Sequence, residues 1–127
     1  PVSREREKNF VAGLSMGGST TSNMLMHHTE LFGYYGIWSY ANVDGSFGGV
    51  EGITSQSVRS HLSSLTVKPK IMLAAGNWDF GLAPVKTFGE NLSKLGLDYS
   101  YLQVPAAHDW ECWQLIFANA AENFLWK

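Results

Sequence analysis

The sequence predicts one α/β domain built around a parallel sheet. Short apolar runs alternate with helical patterns along the chain, and its 127 residues suffice for one domain with a core but not for two. Strands that alternate with helices imply parallel neighbours joined by right-handed crossovers. We therefore expect the carboxyl ends of the strands, and the loops that follow them, to meet at one edge of the sheet.

Four runs have the composition of buried strands, at residues 9–14, 33–39, 70–75 and 99–104. The third is the clearest, because Pro69 precedes it and Gly76 follows it. Helices are predicted at about 15–28, 84–95 and 110–126, each after a strand. Residues 40–67 are rich in Gly, Ser, Asn and Thr, which predicts an inserted loop with a short helix over 54–65. This insertion is either a surface excursion or a segment that borders or covers a site.

Composition excludes several classes of function. Hydrophobic residues make up 45% and charged residues 16% of the chain, as in ordinary globular domains. A formal net charge of −2 gives no electrostatic reason to expect a nucleic acid or an anionic membrane as partner. No apolar run approaches the ~20 residues of a membrane helix. The one cysteine, Cys112, excludes an internal disulfide.

The strongest local motif is Gly13-Leu14-Ser15-Met16-Gly17, a G-x-S-x-G pattern between a predicted strand and a predicted helix. In this context the serine lies on a sharp turn that projects its hydroxyl, and crowding excludes side chains two residues away on either side. The Met16 N–H then points to the place where an oxyanion forms, near a helix N-terminus. We predict Ser15 as a nucleophile and Met16 as an oxyanion-hole donor.

A nucleophilic serine needs a base, and in this kind of fold the chain order is Ser, acid, His. Of the four histidines, only His108 follows all the strands, in a loop at the same sheet edge as Ser15. His27 and His28 close the first long helix, and His61 lies in the insertion, so these three are expected at the surface. We predict His108 as the base.

For the acid, Asp79 is the first choice because it directly follows the third strand. Asp109 adjoins His108 but is expected to cap the last helix, and Asp98 begins a strand at the wrong end of the sheet. Asp44 and Glu51, both in the insertion, remain open alternatives. No set of residues has metal-ligand spacing and no phosphate-binding loop is present, so we expect neither a metal nor a cofactor.

Taken together, these motifs resemble the esterase D/carbohydrate esterase family 1 group of the α/β-hydrolases, which includes feruloyl esterases, acetyl xylan esterases and enterochelin-esterase-like proteins. The segments that carry the resemblance are residues 12–18, Leu31-Phe32-Gly33, residues 76–80 and His108-Asp109-Trp110 with Trp113. The resemblance covers nearly the whole chain. It implies that Ser15, Asp79 and His108 form a catalytic triad.

The sequence departs from that group in two ways. Members of the group usually have a small residue and a Thr before the acid, and often Gly-Gly before the histidine. The corresponding positions here are Asn77-Trp78 and Ala106-Ala107. These differences affect the specificity for the acyl group and leave the triad intact. Domains of the group are also about twice as long, so residues 1–127 correspond to the C-terminal half. We expect a preceding segment with further strands and the second oxyanion donor, and an exposed sheet edge that pairs with this segment or self-associates.

The sequence therefore predicts a serine carboxylic ester hydrolase that works through an acyl-enzyme. The resemblance implies a small ester or an esterified carbohydrate as substrate, such as acetyl or feruloyl esters of plant polysaccharide, and secretion if the substrate is a polysaccharide. Four aromatic residues near strand ends are candidates to stack on it: Trp38, Tyr40, Trp78 and Trp110. The alternatives are an acyltransferase of the mycolyltransferase type and a non-catalytic binding module with the same fold.

Overall fold

The computed structural model describes residues 3–127. Strands and helices alternate in the predicted order. The elements are β1 (Phe10–Leu14), α1 (Met16–His27), β2 (Tyr34–Trp38), α2 (Gln56–Ser63), β3 (Lys70–Gly76), α3 (Leu82–Lys94), β4 (Ser100–Val104) and α4 (Trp110–Asn119). A 3₁₀ turn at Arg6–Lys8 precedes β1, and one π-helical turn, Ala120–Phe124, extends α4.

The four strands form one parallel sheet in the order β1-β2-β3-β4. The ends are in register, with Leu14 beside Trp38 and Trp38 beside Ala74, while Gly76 lies beside Val104. The loops after β1, β2, β3 and β4 therefore start at the same edge, which confirms the predicted fold class.

Side chains alternate along each strand, so the sheet has two apolar faces. One face carries Tyr35, Ile37 and Leu73 and packs against α1, α2 and α3. The other carries Trp38 and Met72 and packs against α4. Fold and site are linked here, because helices on both faces fix the strands whose ends carry the predicted site residues.

The last helix differs from the sequence prediction. The spacing of apolar residues over 110–126 predicts one helix with a single apolar face formed by Trp113, Ile116, Phe117, Ala120, Ala121 and Phe124. Phe117 is nevertheless 58% exposed, whereas Ile116 and Ala120 are buried. The backbone changes to a π turn at Ala120, and a π turn rotates the following residues relative to a regular helix. That turn brings Phe124 against the ring of Tyr34 on β2, with centroids 5.5 Å apart.

Among residues 3–127, no helix has both the length and the apolar character needed to span a bilayer.

Candidate active site

Ser15 lies on the sharp turn between β1 and α1. Its backbone, at φ 59° and ψ −119°, is one that non-glycine residues rarely adopt, at a cost of roughly 1–3 kcal/mol. Strand β2 holds the turn, because the Ser15 N–H donates to the Trp38 carbonyl at 3.0 Å. Gly13 permits it, since a Cβ there would lie 2.1 Å from the Gly17 carbonyl oxygen. The Ser15 hydroxyl is thereby fixed at the carboxyl edge of the sheet.

The expected crowding holds on one side of Ser15 only. A Cβ at Gly17 would meet nothing within 4 Å among the described residues, so the prediction that crowding excludes a side chain there is wrong. Gly18 is the crowded helix position, because a Cβ there would lie 2.5 Å from the carbonyl oxygens of Trp38 and Tyr40. Gly18 therefore lets α1 pack closely against the end of β2.

Met16 is the first residue of α1, and Ser15 is its N-cap. The first N–H groups of a helix have no partner within the helix, and the helix dipole favours negative charge near them. The Met16 N–H adjoins the Ser15 hydroxyl in the chain, which is where an oxyanion-hole donor is needed. The Met16 side chain points outward and is 71% exposed.

His108 contacts both of the other residues predicted for a triad. Its Nε2 lies 2.8 Å from Ser15 Oγ, and its Nδ1 lies 2.6 Å from Asp79 Oδ1. A neutral imidazole that donates from Nδ1 to the carboxylate leaves Nε2 as an acceptor for the Ser15 hydroxyl. The structure thus joins the three side chains, from three different loops, by two hydrogen bonds.

Backbone hydrogen bonds fix the loop of the predicted acid Asp79 (residues 77–81, the acid loop) to the loop of the predicted base His108 (residues 105–109, the base loop). The Asn77 N–H donates to the Val104 carbonyl at 2.8 Å, and the Trp78 N–H donates to the Ala106 carbonyl at 3.1 Å. Gly76 allows this approach, because a Cβ there would lie 2.2 Å from the Ala106 carbonyl oxygen. The spacing between Asp79 and His108 is therefore set by contacts of the main chain rather than by mobile side chains.

The Asp79 carboxylate is fully buried, with 0% side-chain exposure. Oδ1 accepts from the Gly81 N–H at 2.8 Å in addition to its contact with His108. Burial raises the pKa of Asp79, but the Ser39 hydroxyl, the Gly81 N–H and His108 favour the charged form more strongly. The pKa of Asp79 therefore lies below its ordinary value of 3.8, and the group is ionised at neutral pH.

The His108 ring is held between two aromatic side chains. The ring of Phe80 lies 4.1 Å from it between centroids, inclined by 31°. The ring of Trp113 meets it edge-on, at 5.3 Å and 84°. These contacts restrict rotation of the imidazole, so that its two nitrogens stay aligned with Ser15 and Asp79.

An open cleft of about 360 Å³ adjoins Ser15, within the size range of small-molecule sites. It is lined by Ser15, Met16, Ser19, Tyr40, Ser46, Phe47 and Phe80. Ser46 and Phe47 belong to the insertion over residues 40–67, so of the two alternatives for this insertion the structure favours the one in which it borders the site. Asn42 anchors this insertion through 2.7 Å and 3.0 Å hydrogen bonds to Asn23 and to the Val50 carbonyl.

The three tryptophans predicted to stack on the substrate lie in two kinds of environment. Trp38 is only 2% exposed and packs in the core, so its prediction as a substrate contact is wrong, because alternation along β2 turns it towards α4. Trp78 and Trp110 are each 72% exposed, yet neither lines the cleft beside Ser15. Tyr40 does line it, as do Phe47 and Phe80. The sequence analysis missed these two, because Phe47 lies in no motif and nothing in the segment 76–80 singles out Phe80 as a residue of the cleft.

The side chains of the other candidate residues make contacts with groups other than His108 in the described structure. His27 and His61 bind the Glu51 carbonyl and the Thr29 hydroxyl, at 2.9 Å and 3.1 Å. His28 lies 3.6 Å from the Glu30 carboxylate.

The three other candidate carboxylates have different partners. Asp44 accepts from the Ser46 N–H, and Glu51 accepts from the Ser57 hydroxyl. Asp109 caps α4 by accepting from the Cys112 N–H, as predicted. Within residues 3–127, no group of three or more His, Cys, Asp or Glu could hold a metal ion.

No known family model matches the chain. A curated relative, an acetyl esterase of Caldicellulosiruptor saccharolyticus, is 27% identical over 149 aligned residues, which cover 96% of this chain and 56% of the relative. The solved fluorophosphonate-binding serine hydrolase F of Staphylococcus aureus is 22% identical with a TM-score of 0.77, over 96% of this chain and 56% of that one. The feruloyl esterase module of Clostridium thermocellum, solved with sinapinate, is 18% identical with a TM-score of 0.68. This match covers 91% of the present chain and 44% of the module's chain.

These likenesses agree with the topology described above. The chain has part of an α/β-hydrolase fold, and it spans about half the length of the proteins it matches. The elements present are the four-stranded parallel sheet and its flanking helices.

Proposed function

We propose that this chain carries the catalytic residues of a serine carboxylic ester hydrolase. The observation that supports it most directly is the hydrogen-bonded series of Ser15, His108 and Asp79, with distances of 2.8 Å and 2.6 Å. A serine, a histidine and a buried carboxylate in this order are the components of nucleophilic acyl transfer. The acetyl esterase relative and the serine hydrolase and feruloyl esterase neighbours support the same reading.

In the proposed acylation step, His108 Nε2 takes the Ser15 hydroxyl proton as Oγ attacks the ester carbonyl carbon. The carbonyl oxygen becomes an oxyanion and accepts a hydrogen bond from the Met16 N–H. The tetrahedral intermediate then expels the alcohol, which takes the proton from His108. Ser15 is left as an acyl ester.

Deacylation repeats these transfers with water as the nucleophile. His108 takes a proton from water, the resulting hydroxide attacks the acyl carbon, and Ser15 leaves with the proton returned by His108. Asp79 remains ionised throughout; it holds the Nδ1–H tautomer and stabilises the charged imidazole. Each step is a proton or acyl transfer between protein side chains, ester and water, so this scheme uses no cofactor.

We further propose membership of the carbohydrate esterase family 1 group, with acetyl or feruloyl esters of a plant polysaccharide as substrates. The acetyl esterase relative supports acetyl esters as substrates. The feruloyl esterase module, solved with sinapinate, supports esters of aromatic acids. Three rings line the cleft beside Ser15, those of Tyr40, Phe47 and Phe80. Aromatic walls suit a phenolic acyl group, because offset and edge-on ring contacts add to burial.

Hydrolysis assays on 4-nitrophenyl acetate and methyl ferulate test this proposal. We expect turnover of at least one ester by the chain, loss of turnover in Ser15→Ala, and wild-type turnover in Ser63→Ala, which removes an exposed hydroxyl on α2. Turnover that survives in Ser15→Ala would contradict the proposal. A sugar alcohol added to the assay separates the classes of reaction, since a transferase would divert product from the free acid to the sugar ester.

A further inference from the structure

Ser39, at the end of β2, has an unusual backbone for a buried residue. Its φ is 61°, in the left-handed region that favours glycine, and its side chain is 0% exposed. The Ser39 N–H donates to the Ala74 carbonyl at 2.8 Å, which locks this conformation to β3. Strain of this kind persists where the surroundings impose it, and it is found preferentially at functional sites.

The Ser39 hydroxyl is oriented by a tryptophan. The indole N–H of Trp113 donates to Ser39 Oγ at 3.0 Å. This contact occupies one acceptor position of the hydroxyl and leaves its proton free to be donated elsewhere. The neighbouring Cys112 sulfur is a weak acceptor, so a carboxylate within reach takes precedence.

The acid loop lies directly against Ser39. Gly81 approaches so closely that a Cβ there would be 1.7 Å from the Ser39 carbonyl oxygen. Asp79 Oδ2 is buried and has no hydrogen-bond partner among residues 3–127, although a buried carboxylate oxygen ordinarily has one. The Ser39 hydroxyl also lies near enough to the carboxyl group to lower the pKa of Asp79.

We propose that Ser39 is a positioning residue, whose hydroxyl, oriented by the Trp113 N–H, donates to Asp79 Oδ2. A hydrogen bond on Oδ2 fixes the rotation of the carboxylate and keeps Oδ1 directed at His108 Nδ1. Trp113 meets the His108 ring edge-on as well, so one tryptophan braces both the acid and the base. This inference rests on the proposed triad function and adds two residues to it.

Two substitutions separate the hydroxyl from the ring. Ser39→Gly removes the hydroxyl, and glycine accepts a φ of 61° without strain. Trp113→Phe removes the N–H donor but keeps an aromatic edge against His108. Ser22→Ala is the matched control, because it also removes a buried hydroxyl, but on the opposite face of the sheet from Trp113. The Ser22 hydroxyl donates to the Ser19 carbonyl at 2.7 Å and accepts from the Asn42 N–H at 2.9 Å.

The main readout is the proton NMR resonance of the His108 Nδ1–H, because its position reports the hydrogen bond to Asp79 whether or not the chain turns over an ester. We expect a low-field resonance in the wild-type chain, an upfield shift or loss of it in Ser39→Gly and in Trp113→Phe, and no change in Ser22→Ala. In 4-nitrophenyl acetate hydrolysis, we expect kcat of Ser39→Gly to fall about 10-fold, the worth of one hydrogen bond to a charged group, with KM unchanged.

The outcomes distinguish this inference from the proposed function. An unchanged resonance in Ser39→Gly, or its absence from the wild-type chain, would overturn the positioning role. A shift in Trp113→Phe alone would also overturn it, since ring packing would then account for the effect without the hydroxyl. A resonance that shifts as expected, in a chain that hydrolyses no ester, would uphold the positioning role and count against the esterase proposal.

Discussion

Strands β1 and β3 carry opposite halves of the candidate site in different surroundings. All five residues of β1 are partly exposed, and beside Ser15 a Cβ at Gly17 would meet nothing within 4 Å in the described structure. In β3, by contrast, every residue after Lys70 is buried, and the Asp79 carboxylate that follows is fully covered. Among the described residues, Ser15 therefore follows the edge strand β1, whereas Asp79 follows the inner strand β3.

The end of β2 connects these two environments. The Trp38 carbonyl accepts from the Ser15 N–H at 3.0 Å, and the next residue, Ser39, contacts Gly81 of the acid loop. The arrangement of Ser15, Asp79 and His108 therefore depends on a strand that contributes none of the three. Changes near Asp79 should damage both stability and the site, whereas a change at Gly17, on the uncrowded side of Ser15, should damage neither.

The largest effect is expected from Asp79→Asn. An amide in place of the carboxylate favours the wrong His108 tautomer, so we expect the rate of Ser15 acylation to fall by about 10⁴-fold, as in a well-studied serine triad. The measurement is the rate of reaction with a fluorophosphonate, with circular dichroism to establish that the variant is folded. A folded Asp79→Asn chain that reacts at the wild-type rate would exclude Asp79 as the acid.

Gly81→Ala tests the packing around the buried Asp79 carboxylate. The added methyl would lie 1.7 Å from the Ser39 carbonyl oxygen, so the acid loop must move. We expect a loss of about 1–3 kcal/mol in the free energy of unfolding, typical of overpacking, together with slower labelling of Ser15. Urea denaturation measures the first effect, and a wild-type midpoint would show that the two loops are not in tight contact.

The pH dependence of stability sharpens the role of Asp79. Because its pKa in the folded chain lies below 3.8, its ionised form stabilises the fold at pH values above that figure, and this contribution disappears as the pH falls through the lowered pKa. We expect wild-type stability, relative to Asp79→Asn, to fall as the pH is lowered below about 4. Urea denaturation of both chains from pH 7 to pH 2.5 measures it, and a constant difference would contradict the lowered pKa.

The smallest effect is expected from Gly17→Ala, in the first turn of α1 on the uncrowded side of Ser15. The methyl meets nothing within 4 Å among the described residues, and alanine favours a helix over glycine by up to about 1 kcal/mol. We expect unchanged or slightly higher stability. Gly13→Ala, two residues before Ser15, is the matched contrast, since its methyl would lie 2.1 Å from the Gly17 carbonyl oxygen. Urea denaturation measures the stability of both variants. Equal midpoints would contradict the difference in crowding between Gly13 and Gly17.

Much of the fold could be predicted because the strands are short apolar runs, and three of the four adjoin a glycine or proline: Gly33 before β2, Pro69 before β3 and Pro105 after β4. The grouping of Ser15, Asp79 and His108 could be predicted from chain order, because parallel strands bring their following loops to one edge. Neighbours that depend on packing could not. Nothing in the sequence shows that Trp38 turns inward, or that Phe80 reaches the His108 ring.

Backbone conformation accounts for a second group of omissions. Ser39 adopts a left-handed φ of 61° because β3 and Gly81 impose it, and no local pattern around a serine signals such a position. Asn42 organises the insertion through hydrogen bonds to Asn23 and to the Val50 carbonyl, residues that are distant in sequence or lie within the loop. These contacts come from tertiary structure, whereas the G-x-S-x-G turn is encoded locally.

The most direct test of the central claim is to treat the chain with a fluorophosphonate and locate the adduct by mass spectrometry, beside His108→Ala. A triad assembled as described predicts one adduct, on Ser15, that is lost in the folded His108→Ala chain. A folded wild-type chain that gives no adduct, or an adduct that persists without His108, would contradict the claim that Ser15 and His108 act as nucleophile and base in this chain.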